Sequence, residues 1–482
     1  MLSVNTEVPT LAWVPDDLGP GFLAQKIDLG EDRDGPISMT LVRHDPSTDP
    51  HANWPDRLLP NNIVPGGALS DGSYVLLPEG ASPQIEEELA HQASWSTTHP
   101  EAASSAFETT PGKESALGND VENLATVLPE GAEIHLDLDR PARVQDAPAQ
   151  PSSPSFAVLY VHGWNDYFYQ THLARVMSAL GAAFYAVDLR RYGRSSRGAN
   201  NEPYGFVRNL NDYGLEFSSA LDIINAEHPG LPVIMMGHST GGLSTALWAA
   251  KNPERLACLL LISPWLRSQP GHYFFKKPRF TRAVLRAGTR VAPTKSLPMA
   301  SLNLYSRSIS GWHEDADGPL PAYLRPFTGD PAVRGWWANP AWKILPTAPY
   351  RFGWLHAIVS GHLEIMDGLQ AAVPTLVLSG ALPSNSEGGP GEDCGATAKR
   401  LATWPHNVPK DPGIPLVWDP QMRHFDMVLA THYMHEAARD MGPLMETRCL
   451  SGVHDLTLSQ PHERAELWRA ISEWLHKTLP QS

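Results

Sequence analysis

The chain has 482 residues, of which 42 % are hydrophobic and 18 % charged, an ordinary composition for a globular protein. This composition excludes a chain that is disordered along its whole length. There are 52 acidic and 37 basic residues, giving a formal net charge of −15. That balance argues against nucleic-acid binding and against an anionic membrane surface as a partner, because both select clusters of lysine and arginine.

The negative charge is concentrated in one segment. Residues 45–155 contain 18 acidic and only 4 basic residues, together with 14 of the 45 prolines, and the rest of the chain is close to neutral. High charge and many prolines oppose the formation of a packed core. We therefore predict an acidic, proline-rich insertion that is partly disordered.

Short apolar runs and helical patterns alternate along the remaining chain. Residues 22–29 and 37–43 predict a hairpin, because two alternating runs flank a glycine-containing turn. The other predicted strands are residues 156–161, 183–187, 232–236, 259–263, 375–378 and 446–450. The predicted helices are residues 168–180, 211–226, 241–251, 354–369 and 461–479. Apolar strands alternating with helices predict an α/β protein whose mostly parallel sheet is covered by helices on both faces.

Cysteine usage and the absence of targeting signals predict a cytoplasmic protein. The three cysteines are too few for a disulfide framework, and we expect buried free thiols at Cys258 and Cys449. The first residues lack the features of a secretory signal. No run approaches 18 consecutive apolar residues, so we expect no transmembrane segment.

The sharpest motif is Gly237-His238-Ser239-Thr240-Gly241, a G-x-S-x-G sequence between a predicted strand and a predicted helix. This context is typical of a nucleophile elbow, in which the serine occupies a strained turn between closely packed backbones. We predict Ser239 as the nucleophile and the Thr240 N–H as an oxyanion donor. The alternative is a structural turn, since the motif alone also arises by chance.

A second motif, His162-Gly163-Trp164-Asn165, directly follows the strand at residues 156–161. This position predicts the Trp164 N–H as the other oxyanion donor, with the His162 side chain ordering the loop. The nearby side chains form the predicted substrate pocket: Asn165, Tyr167 and His238.

The general base is expected between the last strand and the last helix, where His454 lies. The acid must then fall between the strand at residues 375–378 and His454. The candidates are Asp393, Asp419 and Asp426. Two other aspartates fit less well, because Asp440 falls within a helical pattern and Asp455 is adjacent to the base.

At this point the sequence resembles the α/β-hydrolase superfamily, in its serine aminopeptidase/lysophospholipase-like (monoglyceride-lipase-like) branch. The resemblance runs through VLYVHGWND, AVDLRRYGRSS, GHSTGG, ISPWL and GVHDLTLS, and through the opening WVPDDLGPGF and ISMTLVRHD. It implies one α/β-hydrolase domain over residues 1–482, with a helical cap at 267–351. The acidic insertion would lie between the second and third strands.

The resemblance also favours one acid. Close relatives carry the acid in a D-x-V-L stretch at a characteristic distance before the base. The sequence Asp426-Met427-Val428-Leu429 is such a stretch, and it lies at the matching distance before His454. Asp393 is the next candidate. Residues 381–422, before this stretch, are a longer loop insertion than relatives would have.

A Ser-Asp-His order predicts a serine hydrolase that acts through an acyl-enzyme. The family resemblance implies a carboxylic ester as substrate, such as an acylglycerol, a lysolipid or another lipophilic ester. The many aromatic residues of the cap fit an apolar acyl pocket. One alternative is a peptidase or amidase of the serine aminopeptidase type. The other is a non-catalytic, partner-binding protein that interacts through its acidic insertion. We expect no cofactor and no metal, and the chain does not indicate an oligomeric state.

Overall fold

The computed structural model describes residues 12–52, 153–198, 202–268, 277–297, 304–344, 347–380, 423–429 and 431–479. Most of the acidic insertion and the whole of the loop insertion at 381–422 lie outside these residues. So do two of the three acid candidates, Asp393 and Asp419. The disorder of the insertion, the two insertions as such and the division of the chain into domains therefore stay predictions.

The strands of the described residues form one mixed sheet. They are β1 (Val14–Pro15), β2 (Phe22–Asp32), β3 (Gly35–His44), β4 (Phe156–Val161), β5 (Ala182–Asp188), β6 (Val233–His238), β7 (Cys258–Ile262), β8 (Thr375–Gly380) and β9 (Met445–Leu450). Their order across the sheet is β1-β2-β3-β5-β4-β6-β7-β8-β9. The first three pairs in this order, β1–β2, β2–β3 and β3–β5, are antiparallel. The remaining pairs, from β5–β4 to β8–β9, are parallel.

Helices connect the parallel strands and cover the sheet. In chain order they are α1 (Thr171–Ala179), α2 (Gly214–Glu227), α3 (Thr240–Ala249), α4 (Pro278–Val291), α5 (Leu304–Ser308), α6 (Glu314–Asp317), α7 (Pro331–Arg334), α8 (Phe352–Met366), α9 (Thr431–Asp440) and α10 (Pro461–Thr478). Helices α2, α3 and α8 pack on one face of the sheet, and α1 and α10 pack on the other. No described helix is both long and apolar enough to cross a membrane.

Strand β4 shows why its sequence forms a central strand. All six of its residues are buried. Leu159 and Val161 join the core with α2, α3 and α8, whereas Val158 and Tyr160 join the core with α1 and α10. Successive side chains point to opposite faces, so a strand covered on both faces needs a continuous apolar run. The predicted α/β fold with a mostly parallel sheet is confirmed.

The sheet begins with a strand that the sequence pattern did not predict separately. Val14 pairs with Ala24, and Pro15 pairs with Leu23. The acidic segment consequently follows the third strand of the sheet, which is the second strand of the predicted hairpin. A strand of two exposed residues has no alternating pattern by which it could be recognised.

The cysteines follow the expectation only in part. Cys258, in β7, is a buried free thiol. Cys449, in β9, is disulfide-bonded, so the expectation of a free thiol there was wrong. Spacing along the chain does not reveal which distant cysteines meet in a fold. Cysteine usage therefore no longer supports a reducing compartment, and the cytoplasmic location stays a prediction.

The stretch predicted as a cap contributes α4 to α7 between β7 and α8. Helix α4 packs against α8 so closely that a Cβ atom on Gly288 would lie 2.5 Å from the ring of Phe352. Within this stretch, Ser296 after α4 and Arg351 before α8 form an isolated antiparallel bridge. Hydrogen bonds from Asn339 and Ile344 place the stretch beside the loop that follows β4.

Candidate active site

Ser239 occupies a sharp turn between β6, which ends at His238, and α3, which begins at Thr240. Its backbone has φ 53° and ψ −116°, a conformation that side-chain-bearing residues rarely adopt. Main-chain hydrogen bonds hold it there: the Ser239 N–H donates to the carbonyl of Ile262, and the Trp265 N–H donates to the carbonyl of Ser239, both at 3.0 Å. Strained backbone held by its surroundings is typical of functional positions.

The glycines of the motif allow strand, helix and neighbouring loop to approach this turn. A Cβ atom on Gly237 would lie 2.4 Å from Thr245 Oγ1. One on Gly241 would lie 2.3 Å from the carbonyl oxygen of His162. Real Cβ atoms do not approach other atoms so closely, so larger residues would separate the turn from the β4 loop.

His454 lies between Ser239 and Asp426. Its Nε2 atom is 2.9 Å from Ser239 Oγ, and its Nδ1 atom is 2.8 Å from Asp426 Oδ2. An ionised carboxylate only accepts hydrogen bonds, so Nδ1 carries the proton and Nε2 is left to accept from the serine hydroxyl. All three side chains are buried, and Ser239 is 8 % exposed. The structure thus brings together the three residues predicted from the sequence.

The carboxylate of Asp426 is fixed by its own loop. Its Oδ1 atom accepts hydrogen bonds from the N–H groups of Val428 and Leu429, both at 2.8 Å, which leaves Oδ2 for His454. Gly380, at the end of β8, packs against it: a Cβ atom there would lie 3.0 Å from Asp426 Cβ. The acid therefore lies beside the carboxyl end of β8.

The loop after β4 lies directly against the nucleophile. A Cβ atom on Gly163 would be 3.0 Å from Ser239 Cβ. His162 orders this loop, because its Nδ1 donates to the carbonyl of Gly163 and its Nε2 accepts from the Leu189 N–H. Burial lowers the pKa of His162, in keeping with a neutral ring that both donates and accepts.

The two predicted oxyanion donors flank Ser239 on different elements. Thr240 is the first residue of α3, where main-chain N–H groups have no partner within the helix. Trp164 lies on the β4 loop, and its ring packs with centroid distances of 3.9 Å to Trp354 and 5.7 Å to Tyr350. These contacts fix the Trp164 side chain on aromatic surface next to the nucleophile.

Two of the three predicted pocket residues bind the cap segment. The Asn165 amide pairs with both main-chain groups of Ile344: Nδ2 donates to its carbonyl at 2.7 Å, and Oδ1 accepts from its N–H at 3.2 Å. The Tyr167 hydroxyl accepts from the Asn339 N–H at 2.6 Å. Residues 339–344 are therefore anchored over the loop that carries Trp164.

A buried ion pair adds to this anchor. Lys343 Nζ lies 2.9 Å from Asp166 Oδ1, and the two side chains are 7 % and 3 % exposed. This pair could not be predicted from the sequence, because a lysine and an aspartate so far apart in the chain carry no joint signal. Tyr305 was not predicted either, although its ring meets the His454 ring edge-on at 5.5 Å. Nothing distinguished Tyr305 from the other aromatic residues of the cap.

His238, the third predicted pocket residue, is a buried neighbour of the base. Its ring centroid lies 4.9 Å from that of His454. Among the described residues, neither of its ring nitrogens has a hydrogen-bond partner. Burial lowers the pKa of His238, against the attraction of Asp455. His238 therefore presents a neutral ring to His454.

Asp455, next to the base in the chain, forms its hydrogen bonds with Gln170 and Thr457. It accepts hydrogen bonds from Gln170 Nε2 at 2.8 Å and from the N–H and hydroxyl of Thr457. Burial acts to raise the pKa of Asp455, but these hydrogen bonds hold it below its usual value. Asp455 thus caps the short helical turn that follows the base.

One protein-family model matches part of this chain. Residues 152–382 match the profile of a family described as serine aminopeptidase, S33. The matched residues make up slightly less than half of the chain and include the nucleophile turn and the loop after β4. The resemblance read from the sequence motifs is therefore confirmed.

Curated relatives match this α/β-hydrolase over part of their length. A monoacylglycerol lipase from Mycolicibacterium smegmatis is 28 % identical over 129 residues, which are 27 % of this chain and 44 % of the relative. The monoglyceride lipase of Homo sapiens is 30 % identical over 125 residues, 25 % of this chain and 39 % of the relative. The chain thus matches less than half the length of either relative.

Among solved structures, a monoacylglycerol lipase from Paleococcus ferrophilus matches over 69 % of this chain and 98 % of its own. Its identity to this chain is 16 %, and the TM-score is 0.42.

Proposed function

We propose that this α/β-hydrolase cleaves carboxylic esters of lipophilic acyl groups, acylglycerols first among them, through an acyl-enzyme on Ser239. The observation that carries the proposal is the hydrogen-bonded series Ser239–His454–Asp426, with heavy-atom distances of 2.9 and 2.8 Å. The names of the curated relatives, monoacylglycerol and monoglyceride lipases, agree with this substrate class.

The reaction begins when His454 Nε2 takes the proton of Ser239 Oγ as the oxygen attacks the ester carbonyl carbon. Asp426 keeps the proton on Nδ1 and stabilises the imidazolium that forms. The N–H groups of Trp164 and Thr240 donate to the developing oxyanion, and loss of one such donor costs about 3 kcal/mol of barrier. His454 then protonates the leaving alcohol and activates the water that hydrolyses the acyl-enzyme.

The surroundings of the site favour an ester with an apolar acyl group. The ring of Trp164 belongs to an aromatic cluster with Tyr350 and Trp354, and Tyr305 covers the base from the cap. Such surfaces bind hydrocarbon by removing apolar area from water. Because Ser239 is only 8 % exposed and His454 only 4 %, substrate must displace part of the cap segment to reach them.

The aminopeptidase alternative lacks a group to hold the substrate. An α-ammonium needs a carboxylate, and two buried aspartates of the described residues near the site are already bound. Asp166 pairs with Lys343, and Asp455 accepts from Gln170 and Thr457. The non-catalytic alternative does not explain why nucleophile, base and acid lie within hydrogen-bonding distance of one another.

The test compares p-nitrophenyl esters of increasing chain length with aminoacyl-p-nitroanilides. We expect ester turnover that rises from short to medium acyl chains, and anilide turnover lower by orders of magnitude. Ser239→Ala should lower ester kcat by about 10⁶-fold. Ser218→Ala, a half-buried serine on α2, is the matched control and should keep the wild-type rate.

The two alternative functions predict different results in this test. Anilide turnover that exceeds ester turnover and disappears in Ser239→Ala would replace the esterase by a peptidase. Absence of both activities, with no labelling of Ser239 by a fluorophosphonate, would leave the partner-binding alternative.

A further inference from the structure

A second cluster of titratable side chains lies where the acid loop meets the last helix. It consists of His424, two residues before Asp426, and His462 and Glu463, in the first turn of α10. One nitrogen or oxygen atom of each lies within 4.8 Å of the others. His424 Nδ1 is 2.7 Å from Glu463 Oε1, and the two imidazole rings are 6.2 Å apart. None of the catalytic steps above uses this cluster.

We propose that His424, His462 and Glu463 bind a divalent transition-metal ion of the zinc class. Two imidazoles and one carboxylate form a donor set that zinc accepts, with a fourth position for water. Ligand atoms at about 2.0 Å from zinc are roughly 3.3 Å apart in a tetrahedron. The widest pair, within 4.8 Å, must therefore close by at most about 1.5 Å, which side-chain rotation supplies.

The carboxylate is already held in position. Glu463 Oε2 accepts a hydrogen bond from the Gln460 N–H at 2.9 Å, as part of the capping box of α10, and this leaves Oε1 toward His424. Glu463 is 1 % exposed, whereas both histidines are only half-buried. An ion can thus reach the cluster from solvent and find one fixed anionic ligand.

The neighbouring cations are balanced by other carboxylates. Arg423 Nη2 lies 2.9 Å from Asp317, and Arg464 Nη2 lies 2.7 Å from Asp330. All four side chains are nearly completely buried. These ion pairs reduce the positive charge that would otherwise oppose binding of a metal ion at the neighbouring cluster.

A bound ion would join two segments that bear on the triad. The carbonyl of His424 accepts from the Gly452 N–H, so the acid loop also contacts the loop that carries His454. The metal would replace the His424–Glu463 hydrogen bond by a coordination link between the acid loop and α10 that also includes His462. We expect it to restrict motion of residues 423–429 without contacting the reacting atoms.

The test uses the full chain, stripped of metal with a chelator and titrated with Co²⁺ as the spectroscopic probe. We expect one Co²⁺ per chain, with the visible absorption of a tetrahedral nitrogen–oxygen site, displaced by Zn²⁺. His462→Gln should abolish this absorption and weaken Co²⁺ binding at least 10-fold. His432→Gln, a half-buried histidine on α9, is the matched control and should bind as the wild type does.

Three further measurements separate lost binding from lost folding and test the effect of the ion on the acid loop. The melting temperature of metal-free His462→Gln should match that of the metal-free wild type, and His424→Gln, on the loop rather than the helix, should lose the same absorption. Zn²⁺ should also slow hydrogen exchange in the peptide that contains residues 423–429. The proposal is overturned if the folded wild type takes up no stoichiometric Co²⁺, or if both variants bind it as tightly as the wild type.

Discussion

The nucleophile turn, residues 237–242, and the acid loop, residues 423–429, are held in place by different means. In the turn, main-chain atoms make the contacts. The Ser239 N–H donates to the carbonyl of Ile262 at the end of the neighbouring strand, and the glycines bring the helix against the β4 loop. The geometry of the turn therefore follows from the sheet itself.

The acid loop is held by side chains from distant parts of the chain. Arg423 binds Asp317 of the cap, 106 residues away. His424 binds Glu463 of the last helix, 39 residues away. Within the loop, the Asp426 carboxylate accepts hydrogen bonds from the main-chain N–H groups of Val428 and Leu429.

The nucleophile is therefore positioned by local sequence and strand pairing. The acid, in contrast, depends on contacts that form only when the cap and the last helix are in place. Changes in the turn should therefore act through packing. Changes around the acid loop should act through lost charge pairing and lost orientation of the base.

The largest expected effect comes from the acid itself. Asp426→Asn should lower ester kcat by about 10⁴-fold, because an amide cannot hold His454 in the tautomer that accepts the serine proton. The measurement is kcat with a p-nitrophenyl ester, with thermal melting as the check on folding. A rate near that of the wild type would redirect the assignment to Asp393.

The fold and the nucleophile could be predicted because they rest on local patterns. Ser239 lies in a five-residue motif between a strand and a helix, and His454 was found by its position between the last strand and helix. Asp426 needed the family resemblance, since three aspartates satisfied the spacing. The Lys343–Asp166 pair and the role of Asn165 could not be predicted, because they join residues that only tertiary structure brings together.

The next effect tests the anchor of the acid loop. Arg423→Met should lower the free energy of unfolding by about 3 kcal/mol, because it leaves the carboxylate of Asp317 buried without its partner. Urea unfolding measures this change. Adding Asp317→Asn should restore part of the stability, and a single variant as stable as the wild type would show that the cap does not anchor the loop.

The nucleophile turn can be disturbed by a single methyl group. Gly241→Ala should lower the free energy of unfolding by about 2 kcal/mol, because its Cβ would lie 2.3 Å from the His162 carbonyl. Displacement of the β4 loop should also lower kcat by about 10²-fold. Gly214→Ala, whose Cβ would lie 3.3 Å from Trp248, is the milder control. Equal stability of the two variants would refute close packing at the turn.

The smallest effect concerns the loop that follows the base. The pKa of Asp455 is held below its usual value, so its contribution to stability is present above pH 4 and is lost as the pH falls through the folded-state pKa. Asp455→Asn should therefore reduce the slope of unfolding free energy against pH below pH 4, by at most about 1.4 kcal/mol per pH unit. An unchanged slope would show that Asp455 does not contribute to the loss of stability at low pH.

Formation of an acyl-enzyme on Ser239 is tested most directly by mass spectrometry. The protein is quenched within the first turnovers of a medium-chain p-nitrophenyl ester. We expect a mass increase equal to one acyl group, mapped to the peptide that contains Ser239 and absent from Ser239→Ala. Ester turnover that persists in Ser239→Ala, or an acyl group mapped to another residue, would contradict this mechanism.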